Sequence, residues 1–126
     1  MANISAILLP SLTTSSTTHN NVLISFPYYG DKAQAAGYYE QTEPMNTVQY
    51  STINGFNGIL KLQGSLSNDP QDTDWYDINH TILGDGITPV PNQTLTLNFG
   101  GNHVWVRAVI VSFIAGEINN VLLNHN

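Results

Sequence analysis

The sequence predicts an all-β protein, an antiparallel two-sheet sandwich of jelly-roll type, and two observations lead to this prediction. Apolar residues recur in alternation or in short runs, with no helical spacing, and Gly, Pro and Asn interrupt them at nearly regular intervals. Asn, Thr and Ser dominate the polar residues, and this composition suits strands and turns better than a solvated helical protein.

Eight short strands are expected, separated by turn-forming segments such as 67–70 and 84–86. The predicted strands cover residues 5–9, 21–27, 47–53, 58–67, 75–79, 94–99, 103–114 and 117–124. The segment 31–43 is interpreted as an irregular excursion with at most one helical turn, at 33–36.

The first 20 residues are predicted to form an extended N-terminal arm with a flexible joint, and residues 21–126 a single sandwich domain. The apolar stretch 4–12 is followed by a Thr- and Ser-rich run at 13–18 that has no packing periodicity. Leaving the apolar stretch in water would cost about 25 cal/mol for each Å² of apolar surface. We therefore expect it to dock as a strand, either on its own sheet or on that of a neighbouring subunit.

The strand 58–67 has one apolar side, on which Leu60 and Leu62 alternate with the polar Lys61 and Gln63. The strand 103–114 differs because both of its sides are apolar. One side carries Val104, Val106, Ala108 and Ile110, and the other carries Trp105, Arg107, Val109, Val111 and Phe113. The second side needs a cover, which could be another subunit, the N-terminal segment, a ligand or the chain's own loops.

Charge and composition argue against several classes of function. The chain has 126 residues, a net charge of −6 and three cations, Lys32, Lys61 and Arg107, too few for a nucleic-acid-binding patch. It has no Cys, which excludes disulfides and thiol catalysis. No apolar stretch approaches the roughly 18 residues of a membrane span, and the N-terminus lacks the basic residues of a signal peptide.

No motif for catalysis or for cofactor binding is present. Asp69, Asp72, Asp74 and Asp77 are close enough in sequence to suggest calcium, but the Gly and the Glu of an EF-hand loop are missing. The alternative is a polar loop in which Asp side chains cap turns. Neither a nucleophile elbow nor a phosphate-binding loop occurs, so we expect no enzyme activity and no cofactor. Because the EF-hand pattern is incomplete, we also expect no metal.

Three pairs of adjacent aromatic residues stand out, at 28–29, 38–39 and 75–76. On a strand one member of each pair would point outward, where it could stack on a sugar or fill a pocket of a partner protein. The alternative is that these residues are wedges that close the ends of the sandwich.

Two segments carry a resemblance to a known group of proteins. The first reads FNGILKLQGSL at 56–66 and continues with Asp69-Pro70 and DWYDI at 74–78, and the second reads NFGGNHVWVRA at 98–108, with Phe113, Gly116 and Ile118 after it. Over about residues 53–120 the chain resembles small β-rich virion structural proteins of tailed bacteriophages, including those of cyanobacteria. Beside this resemblance, Trp75 and Trp105 are interpreted as core or inter-sheet fillers, and Arg107 as the partner of a loop carboxylate or of a neighbouring chain.

The resemblance implies assembly rather than catalysis, but it does not fix the position in the particle. A single domain with a 20-residue arm and no fibre shaft or coiled-coil repeat favours a small repeated subunit. We therefore expect a multimeric head decoration or cement protein of the phage particle, preferably a trimer, that binds other virion proteins such as the major capsid protein. A tail, neck or baseplate-fibre component is the first alternative, and a carbohydrate- or receptor-binding module is the second. The residues predicted at the partner interface are Ile4, Ile7, Leu8, Leu9, Leu12, Trp105, Arg107, Val109, Val111 and Phe113.

Overall fold

The fold comes from a computed structural model that describes residues 5–13, 18–19, 22–23, 27–39 and 45–125. Strands account for 61% of these residues, so the all-β prediction is confirmed. In the described part of the chain, no helix has the length and apolar character needed to cross a bilayer. The strands are β1 (Ala6–Leu9), β2 (Leu12–Thr13), β3 (Thr18–His19), β4 (Val22–Leu23), β5 (Tyr28–Tyr29), β6 (Ala33–Gln34), β7 (Met45–Ser65), β8 (Tyr76–Asp77), β9 (Gln93–Gly100) and β10 (Trp105–His125).

Two strands of 21 residues each, β7 and β10, form the centre of the sheet. They pair antiparallel along their whole length, from Trp105 opposite Ser65 to His125 opposite Asn46. Strands β8 and β9 extend the sheet beyond β7, and β1, β2, β5 and β6 extend it beyond β10. Among the described residues, eight strands thus form one antiparallel sheet, and β3 and β4 form a separate two-stranded ladder.

A bend divides the long strand pair into two halves. In β7, Asn54 and Gly55 have φ values of 59° and 69°, and the register with β10 shifts on both sides of this point. Across from them Gly116 has φ 86°, and a Cβ added there would lie 2.4 Å from the Cα of Phe56. Only glycine fits such a position, and bulges of this kind bend a strand without ending it.

Two predicted strand boundaries are wrong because each falls at the bend, inside a continuous strand. The predicted strands 47–53 and 58–67 are parts of β7, and the predicted strands 103–114 and 117–124 are parts of β10. In each case the residues taken as a connection form an irregular stretch inside one continuous strand.

The hydrophobic core receives side chains from both sides of the bend. Val48 and Tyr50 precede the bend in β7, Leu60 and Leu62 follow it, and all four belong to one cluster of buried residues. Tyr50 donates a hydrogen bond of 2.6 Å to the carbonyl oxygen of Thr81, which satisfies its buried hydroxyl. Both halves of the long strands therefore contribute to one core.

The apolar N-terminal segment lies on the chain's own sheet. Strand β1 pairs with residues 121–123 of β10, and β2 pairs with Glu117 and Ile118. Leu8, Leu9 and Leu12 are buried in the common core, where they are shielded from water. Residues 1–4, 14–17 and 20 of the predicted arm are outside the described residues.

Two other predicted elements differ from the structure. The predicted strand 75–79 is reduced to Tyr76–Asp77. Of the predicted strand 21–27, Val22–Leu23 is a strand, and residues 21 and 24–26, like residues 40–43 of the predicted excursion, lie outside the described residues. The predicted excursion 31–43 contains β6, which pairs with Trp105 and Val106, and a 3₁₀ helix, Ala36–Tyr39. A second 3₁₀ helix spans Asp72–Asp74. The helical turn begins later than predicted because Ala33 and Gln34 are held in the sheet.

Candidate functional site

The first part of β10 has a core side and an outer side. Val106, Ala108 and Ile110 belong to the core cluster, and Trp105, Arg107 and Val109 alternate with them. Val109 is only 2% exposed although it lies outside that cluster. Because strand side chains alternate, it must be covered on the outer side by this chain's own residues. The outer side therefore carries a second packed layer.

Arg107 is the centre of this layer. Its guanidinium carbon lies 4.2 Å from the ring centroid of Tyr29 and 4.2 Å from that of Trp75, so two aromatic rings stack on the cation. Its Nε and Nη2 atoms donate to Gln63 Oε1 at 3.0 and 2.8 Å. The sequence predicts a loop carboxylate or a neighbouring chain as the partner of Arg107, and the loop carboxylate of Asp72 does act on it electrostatically. In the structure an amide oxygen accepts both of these hydrogen bonds.

Gln63 connects Arg107 to a carboxylate. Its Nε2 donates to Asp77 Oδ1 at 3.0 Å, and Asp77 Oδ2 accepts a hydrogen bond of 2.9 Å from Lys61 Nζ. The hydrogen bonds from Gln63 and Lys61 lower the pKa of Asp77, so its carboxylate is ionised at neutral pH. Burial lowers the pKa of Arg107, although a guanidinium stays charged throughout the physiological range.

Trp105 organises the neighbouring part of the same side. Its indole Nε1 donates to the carbonyl oxygen of Asn68 at 3.1 Å, and Lys32 Nζ lies 4.8 Å from its ring centroid. Tyr38 meets the indole edge-on, with ring centroids 5.7 Å apart. The sequence predicts that Trp75 and Trp105 are core or inter-sheet fillers. In the structure both are half-buried in the outer layer, where their polar contacts and stacking partners lie.

We call this layer the stacked face. It consists of Tyr29, Lys32, Tyr38, Lys61, Gln63, Trp75, Asp77, Trp105 and Arg107. All three cations of the sequence lie on it. Tyr29 and Tyr38 remain 47% and 46% exposed, so part of its aromatic surface is open to a partner.

The residues predicted at a partner interface do not form one surface. Trp105, Arg107 and Val109 lie on the stacked face or beneath it, but Val111 stands at a register shift and Phe113 packs against the core. The shift reverses the alternation, and Phe113 meets Phe56 with ring centroids 5.4 Å apart.

The N-terminal members of the predicted interface are also divided. Leu8, Leu9 and Leu12 are in the core, while Ile7 is exposed. Ile4 lies outside the described residues.

Sequence reasoning did not select Tyr29, Tyr38 or Trp75 as interface residues, although the signal was present. Each belongs to a pair of adjacent aromatic residues, and in the pair Trp75-Tyr76 the two rings contact different parts of the molecule. The alternation of strand side chains explains this division. For Lys32 and Gln63 the sequence contains no comparable signal.

Two carboxylates of the acidic loop bind groups of the protein itself, one within the turn and one on β7. Asp74 Oδ2 accepts a hydrogen bond of 2.8 Å from the backbone of Gln71 at the start of the second 3₁₀ helix, and Asp77 is held by Lys61 and Gln63. Within the ranges that the structure describes, no group of three or more His, Asp and Glu side chains could hold a metal ion.

The stacked face offers partly exposed aromatic rings beside a guanidinium that is held in a fixed geometry. Comparison of the chain with protein-family models, with curated proteins and with solved structures finds no match.

Proposed function

We propose that the protein is a structural subunit of a bacteriophage particle, a multimeric head decoration protein that binds and stabilises the capsid lattice. The observation that carries the proposal is the stacked face, together with the resemblance of residues 53–120 to small virion proteins. Tyr, Trp and Arg are the residue types enriched where protein–protein binding energy is concentrated, and this face combines them around Arg107.

The geometry of Arg107 supports binding for a further reason. Two rings and an amide hold the guanidinium before any partner arrives, so little side-chain freedom remains to be lost on association. A partner that covers Tyr29 and Tyr38 would bury aromatic area without having to order the groups beneath it.

Charge supports a contact between copies of the chain. The three cations are collected on the stacked face, whereas the chain as a whole carries a net charge of −6. The face of one copy is therefore better matched to the acidic surface of the next copy than to another stacked face. Contacts of this head-to-tail kind form a ring when the rotation from one copy to the next closes, and a trimer is the smallest such ring.

Contact with the capsid would use other exposed apolar side chains. Ile87 is 81% exposed, and Leu66, Ile82 and Ile114 are also open to water. Only 10% of the residues of the chain are charged, and a protein with so few charges tolerates being covered by neighbours. A subunit that binds the assembled lattice and not the free capsid protein stabilises the lattice by mass action.

We also propose that the two halves of the bent sheet form the two layers of a jelly-roll-like sandwich. The support for this interpretation is the single core cluster, which draws on both halves, and the bend at Asn54, Gly55 and Gly116.

The test is binding to undecorated phage heads, measured by co-sedimentation over a range of protein concentrations. We expect saturable binding with a fixed number of copies per capsomer. The variant Tyr29→Ala/Tyr38→Ala should lose it, because trimeric subunits bind several sites at once and monomers do not. The control Thr94→Ala/Thr96→Ala, on the exposed side of β9, should bind as wild type does. Unsaturable binding, or equal binding by all three proteins, would overturn the proposal.

A further inference from the structure

A cleft of about 490 Å³ lies at the edge of the core, next to the stacked face, with which it shares Asp77. Its lining includes Tyr76, Asn79, His80, Asn98, Phe99 and His103. Strand β8 separates the two sites, because Asp77 turns to Lys61 and Gln63 whereas Tyr76 turns to His103. The volume is within the range of about 300–1,000 Å³ that is usual for small-molecule sites.

Three rings in contact form one wall of the cleft. The ring of His103 lies between those of Tyr76 and Phe99, with centroid distances of 5.7 and 5.8 Å, and Tyr76 Oη is 2.6 Å from His103 Nδ1. Gly64 leaves room for this arrangement, because a Cβ there would be 3.0 Å from Nδ1 and 3.2 Å from the Tyr76 ring. The wall is thus fixed by the surrounding backbone.

The lining of the cleft has one charged group, the carboxylate of Asp77. Burial lowers the pKa of His103, so its ring is uncharged at neutral pH, and neither Lys nor Arg lines the cleft. Both carboxylate oxygens of Asp77 are engaged by Lys61 and Gln63. What remains is a set of amide, phenol and imidazole groups.

Two amides stand at the rim. Asn79 and Asn98 are both exposed, and Asn98 Oδ1 accepts a hydrogen bond of 2.7 Å from Thr47 Oγ1, which orients its NH₂ group as a donor. His80 lies at the same rim, on a turn in which its φ is 64°. Hydrogen-bonding groups therefore converge beside an aromatic wall.

We propose that this cleft binds a neutral sugar unit of a glycan. The hydroxyl groups of a sugar both donate and accept hydrogen bonds, as amides and imidazoles do, and its C–H face packs on aromatic rings. An anionic ligand would find no cation here, and an apolar ligand would leave the rim amides without partners. The cleft shares only Asp77 with the stacked face, and Asn79 and Asn98, which test the cleft, lie outside that face, so either proposal can fail alone.

The test uses glucose, galactose, mannose and N-acetylglucosamine, titrated into the labelled full-length protein and followed by NMR, with an array of glycans that end in these sugars. We expect saturable shifts around Tyr76, Asn98 and His103 with at least one sugar. The variant Asn79→Ala/Asn98→Ala should weaken binding about tenfold, through the loss of hydrogen bonds to sugar hydroxyls.

The matched control is Thr96→Ala, an exposed residue of the same strand as Asn98 and outside the cleft, which should bind as wild type does. Unchanged thermal unfolding of each variant would show that its fold is intact. The absence of saturable shifts with all four sugars and of any array signal would overturn the proposal. Binding that the cleft variant leaves unchanged, or binding to charged glycans alone, would also overturn it.

Discussion

Residues 105–110 of β10 present two sides with different chemistry. On the core side, Val106, Ala108 and Ile110 are completely buried and apolar. On the outer side, Trp105 and Arg107 are half-buried, and each is held by ring contacts and a hydrogen bond to a polar group. The core side is stabilised by buried apolar area and close packing, whereas the stacked face is stabilised by specific ring contacts and hydrogen bonds. One strand thus stabilises the fold and presents a preorganised surface, and substitutions on its two sides should differ in effect.

The largest difference is expected between two neighbouring residues of β7. Leu62 is fully buried in the core and Lys61 lies on the stacked face. Leu62→Ala should lower the free energy of unfolding by about 2–5 kcal/mol, because it leaves a cavity in the packed interior. Lys61→Ala should cost no more than about 1 kcal/mol. Urea unfolding measures both, and equal losses would refute the division into two sides.

A smaller effect is expected at the centre of the stacked face. Arg107→Lys removes the planar group that stacks on Tyr29 and Trp75 and that donates twice to Gln63. The expected loss of stability is about 1–2 kcal/mol. A double-mutant cycle with Trp75→Leu should show that the two substitutions are coupled, since they remove one shared interaction. Strictly additive losses would mean that the ring and the guanidinium do not stabilise each other.

His103, in the wall of the cleft, should make the free energy of unfolding depend on pH. Burial lowers the pKa of His103, so the unfolded chain, in which its pKa is about 6.5, binds the proton more readily. The free energy of unfolding should therefore fall as the pH drops below about 6.5. The variant His103→Gln should have a smaller slope in this range, as measured by urea unfolding at several pH values. The same slope in both proteins would contradict this assignment.

The smallest effect is expected at Asp77, where the hydrogen bonds that run from Arg107 through Gln63 end at the surface. Hydrogen bonds from Gln63 and Lys61 lower the pKa of Asp77, so its contribution is present above its unfolded pKa of about 3.9 and is lost as the pH falls through its folded pKa. Because its side chain is 58% exposed, Asp77→Asn should cost less than about 1 kcal/mol at neutral pH. High salt should reduce the difference between variant and wild type, and a difference that grows with salt would argue against an ionic contribution.

Local alternation was enough to predict some elements but not their continuity. The predicted strand 94–99 agrees closely with β9, which extends one residue further at each end. The break predicted after residue 53 does not exist, because Asn54 and Gly55 adopt the left-handed backbone of a turn within a strand that continues. The same backbone conformation serves turns and bulges, so the sequence alone does not distinguish them.

The candidate site depended on contacts between distant parts of the chain. Alternation correctly assigned Trp105, Arg107 and Val109 to one side of a strand, but register shifts separate Val111 and Phe113 from them. The partners of Arg107 come from residues 29, 63 and 75, and only the folded sheet brings these three together. Adjacent aromatic residues indicated that outward rings existed, but not which cation they would cover.

The most direct test of the central claim is the mass of the protein in solution, measured by light scattering over a range of concentrations. If the stacked face is a contact between subunits, the wild-type protein should form a discrete trimer. The variant Tyr29→Ala/Tyr38→Ala should then be a folded monomer with an unchanged circular dichroism spectrum. A wild-type monomer at every concentration, or a trimer that persists in the variant, would contradict the claim.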